Sequence, residues 1–249
     1  MTLDESTSRE RSDAVAEDAE SLAALHDREL TPALLAALRE AGFPACLGLL
    51  PASTPAVEAW RAMAEALCEL PASPDAAIMD ELASEYAAIY LTGAFNASPY
   101  ESVWTNDDHL TCQDSMFQLR EIYAAAGLAT PDWRQRADDH LVLQLLYIAH
   151  AARQATTDDH WRDLAKMLDE HLFRWIREFA VRVTQRCNLP FYPALAVITA
   201  SWLDTLRDLI ASSLNEPRPS REEVEQRFKP PPPQPQPIHF VPGANGPSW

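Results

Sequence analysis

The triplet Asp-Asp-His occurs at Asp107-Asp108-His109, Asp138-Asp139-His140 and Asp158-Asp159-His160. Carboxylates beside an imidazole can ligate a metal, pass a proton or hold a cation. The spacing between triplets is unequal, so they are not an internal repeat. Each precedes or opens a helix, where amide dipoles stabilise acids by ~0.3–1 kcal/mol. A carboxylate–histidine metal centre in a helical bundle pairs Glu with Glu-x-x-His on facing helices, and no E-x-x-H occurs here. There is no G-x-S-x-G elbow, Ser102 has no base at suggestive spacing, and no G-x-x-x-x-G-K phosphate loop exists. We assign no catalytic residue and no metal ligand.

A second pattern suits recognition. Glu85-Tyr86-Ala87-Ala88-Ile89-Tyr90 ends an apolar-faced helix, and a polar connection follows, Gly93 to Trp104, reading GAFNASPYESVW. Rings at helical spacing, such as Tyr86 and Tyr90, pack most often in a core. Tyr100 and Trp104 stand outside regular structure, on a loop that must run over the surface, so a ring there is placed to line a cleft. After one more helix, Asp138-Asp139-His140 opens the most apolar helix of the chain.

The elements that position these residues read as helices. The chain has 249 residues, 47% of them apolar, and only 6 Gly. Ala and Leu are abundant and β-branched runs few, which favours an all-α fold. Helices are expected near 13–26, 32–41, 55–70, 74–91, 112–126, 137–154, 158–170, 172–187, 191–213 and 221–228, with a short turn at 44–49. Thr31-Pro32, Thr54-Pro55 and Ser73-Pro74 each join a capping hydroxyl to a proline suited to the first helical turn, and Ser220-Arg221-Glu222-Glu223 is a capping box. The domain reading is a disordered acidic N-terminus (1–12), an N-terminal helical part (13–127), a hinge (128–136), a C-terminal helical part (137–214), and a short helix with a proline-rich tail (215–249). KPPPPQPQP is polyproline-like and cannot join a helical core. The tail reads as a solvated spacer or as a docking strap through Ile238, Phe240, Val241 and Trp249.

Composition excludes several classes. A net charge of −17 argues against a nucleic-acid backbone as partner and favours cationic partners by steering. Cys46, Cys68, Cys112 and Cys187 show no ligand spacing and read as reduced thiols. The N-terminus lacks an apolar leader, and no apolar run nears the ~20 residues needed to span a bilayer. The expectation is a soluble, cytoplasmic protein with no stable membrane association.

Three blocks together carry a family resemblance. They are Glu85-Tyr86-x-x-Ile89-Tyr90 with Pro99-Tyr100-x-Ser102-Val103-Trp104, then Asp139-His140, then His171-Leu172-Phe173-x-Trp175 with Pro190-Phe191-Tyr192-x-Ala194-Leu195. In this order, over roughly 80–209, the chain resembles the TorD/DmsD/NarJ family of redox-enzyme maturation chaperones. The resemblance implies a TorD-like bundle of about ten helices, in two unequal parts joined at a hinge, as a monomer or a domain-swapped dimer. It implies a cytoplasmic assembly chaperone, not an enzyme. Such a chaperone binds the twin-arginine signal peptide and apo form of a molybdenum-cofactor oxidoreductase and promotes cofactor insertion before export. The client-binding residues carried over are Tyr86, Ile89, Tyr90, Pro99, Tyr100, Ser102, Trp104, Asp139 and His140. No resident cofactor is implied; a transient contact with the client's molybdenum cofactor stays open. The chain departs from the family pattern at Arg136-Ala137, where the family has Glu-Pro, which sets a positive charge near the expected arginine site.

The physics of such a leader fits these residues. Its basic end is steered by an acidic protein, and its apolar core can lie as a helix in an aromatic-lined groove. Arginine can bond Asp139 in bidentate fashion and stack on Tyr100 or Trp104. Burying ~300 Å² of apolar leader gains about 7 kcal/mol before the cost of ordering it. Two other readings stay open at this stage: a helical metal-binding protein or enzyme using the Asp-Asp-His sets, and an adaptor acting through its proline-rich tail.

Overall fold

A computed structural model describes the backbone of residues 3–229 and the side chains of 9–229, and no strand occurs among them. Eleven α-helices follow one another: α1 (Leu3–Asp27), α2 (Pro32–Glu40), α3 (Thr54–Glu69), α4 (Ala76–Tyr86), α5 (Ser102–Thr105), α6 (Asp114–Ala125), α7 (Leu141–Gln154), α8 (Asp158–Glu170), α9 (Ile176–Arg186), α10 (Phe191–Leu214) and α11 (Arg221–Phe228). A π-helical turn, Ala87–Leu91, continues α4, and a 3-10 turn, Leu172–Arg174, precedes α9. The fold is the expected all-α bundle.

Its axis is α10, whose Phe191, Tyr192, Leu195, Ile198, Trp202, Leu203 and Leu206 are all buried. A helix apolar over most of its surface has to be largely enclosed; α1, α3, α8 and α9 pack around this one. α1 also lies along α7, so one hydrophobic core joins helices on both sides of the 128–136 connection. Several polar groups inside the core are paired. Arg207 forks onto Asp169 through Nε and Nη2. Asp18 accepts from the Gly48 and Leu49 amides and from Trp202 Nε1. Gly48 is required there, because a Cβ would stand 2.8 Å from the Ala14 Cβ.

Several boundaries differ from expectation, each for a local reason. α1 starts at Leu3, upstream of the helix start expected at Asp13; the Arg9–Asp13 pair at i,i+4 supports its first part. Thr31 caps α2 as expected, whereas Ser53 caps α3 and Asp75 caps α4, each one residue or two from the hydroxyl–proline pair. α7 begins at Leu141 because Asp138 and Asp139 are engaged as side-chain anchors and His140 is the cap. Residues 44–49 form turns without a helix. Gly127, at φ +74, ends α6, with Leu128 N–H reaching back to Tyr123 O.

From residue 219 onward the chain forms a separate unit, where α11 carries the expected capping box of Ser220 and Glu223. The proline run from 230, with Ile238, Phe240, Val241 and Trp249, lies outside the described residues. No helix among the described residues is long and apolar enough to cross a membrane.

Candidate functional site

The 92–105 loop leaves α4 through the π turn. That wider turn lets Thr92 N–H close on Ala87 O at 2.8 Å and Phe95 N–H reach Ala88 O. The extra residue rotates Tyr90 inward: its hydroxyl meets His26 Nδ1 at 2.6 Å, while His26 Nε2 meets Thr199 Oγ1 at 2.9 Å. Thr199 donates to Leu195 O, so it accepts from Nε2–H and His26 is neutral, with Tyr90 donating to Nδ1. Burial lowers the His26 pKa to about 3. Tyr86 lies 4.8 Å from Tyr90, ring to ring, and donates to Asp27 O.

Further along, the loop is clamped to the start of α7. Tyr100 and His140 face each other as an isolated antiparallel bridge, with Glu101 N–H on Asp139 O and Leu141 N–H on Pro99 O at 2.8 Å. The Tyr100 and His140 rings meet edge to face at 4.8 Å. His140 Nδ1 accepts from Val142 N–H and caps α7, which needs the neutral imidazole; burial first, then Arg136, lowers its pKa to about 3.

Asp139 does the holding. Its Oδ2 accepts from the Ser102 amide at 2.8 Å and from Ser102 Oγ at 2.5 Å, and Ser102 Oγ in turn accepts from Gln113 N–H and meets Ser115 Oγ. Burial pushes the Asp139 carboxyl upward, and the Ser102 bonds pull it back. Its Oδ1 is buried without a hydrogen-bond partner among the described residues. Glu101 turns inward too: Oε1 lies 2.9 Å from His171 Nδ1, and Oε2 accepts from Gln144 Nε2, which also donates to Asp139 O. Burial raises the Glu101 carboxyl, with His171 opposing. Asp138 anchors the preceding connection through Arg120, Thr130 and Tyr123.

Exposure then sorts the nine candidates. Tyr100 and Trp104 are partly exposed. Tyr86, Ile89, Tyr90, Pro99, Ser102, Asp139 and His140 are buried. The Tyr86 and Tyr90 rings lie in the core, and one oxygen of the Asp139 carboxylate is taken up by the Ser102 hydrogen bonds. Trp104 is held by its Nε1–H on Ser98 O and by Arg182, whose guanidinium lies 5.9 Å from the ring and also reaches Asn96 O. The positive charge at Arg136 is matched by Asp27, 2.6 Å away. Because Tyr86 bonds the same Asp27, that pair links the tyrosine cluster to the 128–136 connection.

Sequence reasoning missed Glu101, Gln144, His171 and Asp27 as parts of this site. Glu101 and His171 sit inside the motif blocks, yet a loop acid and a helix-end histidine give no sign of pairing across 70 residues. The other Asp-Asp-His sets stay apart: Asp107–His109 and Asp158–His160 are exposed. No group of three or more His, Cys, Asp or Glu converges as a metal site among the described residues.

Residues 51–181 match the model of the family described as nitrate reductase delta subunit, which takes in the π turn, the loop and Asp139-His140. The chain is similar to the chaperone protein TorD of Vibrio cholerae serotype O1, 30% identical over 149 residues, covering 57% of this chain and 66% of the relative. It is also similar to that of Shewanella oneidensis, 30% identical over 144 residues, covering 54% and 63%. To the TorD chaperone of Escherichia coli O139:H28 it is 26% identical over 180 residues, covering 70% and 85%. The chain thus spans just under two thirds of the length of the first of these curated relatives.

Proposed function

The chain belongs to the nitrate reductase delta subunit family, and from that premise we propose that it is an assembly chaperone for a molybdenum-cofactor oxidoreductase. It binds the twin-arginine leader and apo form of the catalytic subunit in the cytoplasm and promotes cofactor insertion before export. The observation that carries this reading is the clamped loop: Tyr100 and Trp104 stand partly exposed on a segment whose Glu101 and Ser102 are bonded to the buried Asp139, Gln144 and His171 beneath it. Rings held rigidly at a surface lose little entropy on binding, so they suit a partner that must be gripped and released. They offer the π faces that an arginine guanidinium stacks on, while the −17 net charge draws the basic end of a leader toward the protein. The seven buried candidates support this surface from below.

Calorimetry with a synthetic twin-arginine leader tests the reading. Tyr100→Ala and Trp104→Ala each weaken binding at least about tenfold, equal to ~1.4 kcal/mol. Unchanged affinity in both variants would remove the loop from the site.

A further inference from the structure

A groove of about 750 Å³ lies away from the clamped loop, walled by α6, α7 and α8. Its apolar lining comes from Ile122, Ala151, Leu164 and Met167, and polar side chains stand among them. The small Ala125, Ala126 and Ala151 are what leave it open, since α6 meets α7 there through the Tyr123–Tyr147 ring pair. On α8 the lining residues His160, Asp163, Leu164, Met167 and Glu170 recur at helical spacing along one face. The ten steps from His160 to Glu170, at ~1.5 Å each, give a wall of roughly 15 Å, two to three turns of a helix.

The polar lining is unspent. Tyr147, His150, Gln154 and Asp163 line the groove, and none of their four side chains forms a hydrogen bond or ion pair with another described residue. The Asp163 carboxylate lies near enough to Tyr147 to raise the phenol pKa, behind the larger effect of burial. Lys166 lies 3.9 Å from Glu170 and forms no ion pair with Asp163. A volume within the ~300–1,000 Å³ of ligand sites, apolar lining residues and a few convergent polar groups together make a built recess.

We propose that this groove docks a short amphipathic helix of a client protein, apolar on one face and carrying a lysine or arginine that meets Asp163. The choice of occupant follows from charge complementarity and from length: a cation answers Asp163, and two to three helical turns fill the wall. The inference rests on the chaperone reading for the identity of the partner, and adds a second docking element to the one at Tyr100 and Trp104. Two separated elements on one chain let a client be retained by joint occupancy while each contact alone is weak.

The test uses the full chain and a fluorescein-labelled 14-residue peptide of leucine, alanine and lysine patterned as an amphipathic helix, followed by anisotropy. Ala151→Trp fills the groove floor, and the exposed Asp163→Lys reverses the charge without touching the core. Each weakens peptide binding about tenfold, whereas Glu58→Lys on α3 leaves it unchanged. A twin-arginine leader is titrated in parallel, so the two sites fail separately. Loss of leader binding in Tyr100→Ala with peptide binding intact supports two sites. Unchanged peptide affinity in both groove variants, or an equal loss in Glu58→Lys, overturns the proposal and leaves the loop reading standing.

Discussion

Replacing Asp139 separates a residue that holds the loop from one that touches a client. In Asp139→Ala the Ser102 amide loses its acceptor at 2.8 Å and is left buried. An unsatisfied buried donor costs about 1–3 kcal/mol. The Ser102 hydroxyl loses its 2.5 Å bond as well, but it can turn to Ser115 Oγ, so it adds little. Deleting the carboxylate also removes the orphaned Oδ1 and the desolvation that raises this group's pKa, which offsets part of the loss. At ~2–4 °C per kcal/mol for a domain of this size, a net ~2 kcal/mol lowers the melting temperature by roughly 4–8 °C. Asp139→Asn keeps an acceptor oxygen of the same shape and costs about 1 kcal/mol or less. Thermal melts and leader titrations on both variants decide the matter. If Asp139 acts through the loop, Ala lowers stability and affinity together, and Asn preserves both. An Asn variant that melts normally yet no longer binds the leader would refute this, and would put the carboxylate in direct contact with a client cation.

Two further outcomes follow from buried charge. His26 and His140 are held neutral, with pKa values lowered to about 3 from an ordinary 6.5. The unfolded chain therefore binds more protons between these values, and the stability present above pH 6.5 is lost as pH falls through that window. Two such groups cost ~4 kcal/mol by pH 5, less whatever the raised Glu101 and Asp139 carboxyls return by taking up protons in the folded state; urea unfolding at pH 7 and pH 5 reads the difference, and identical midpoints would contradict it. Arg207→Ala strands the buried Asp169 and costs about 3–5 kcal/mol, whereas replacing both partners with apolar residues is nearly neutral, which a comparison of melting temperatures checks.

The helices were legible because apolar periodicity and caps are local. The centre of the 137–154 helix, LVLQLLYIAHAA, is apolar almost all round, and Ser220 with Glu223 writes its own cap. Boundaries failed where a distant partner outweighed propensity: α7 starts late because Asp138 is drawn to Arg120 and Asp139 to Ser102. The four-residue α5 was invisible for the same reason, since its first amide is held by a carboxylate 37 residues away. The motif blocks brought the right neighbourhood together, but not the orientation of its side chains. Rings at helical spacing such as Tyr90 read as core more readily than as contact, and the π turn that sends Tyr90 to His26 has no sequence signature. The α6–α7–α8 groove was unreadable because it is made by what alanines leave empty.

Hydrogen–deuterium exchange of the full chain, with and without a twin-arginine leader, tests the central claim most directly. The account predicts slowed exchange in peptides covering residues 94–104 when the leader is added, and loss of that protection in Tyr100→Ala. A leader that binds tightly while leaving 94–104 unprotected, or that fails to bind at all, would contradict it.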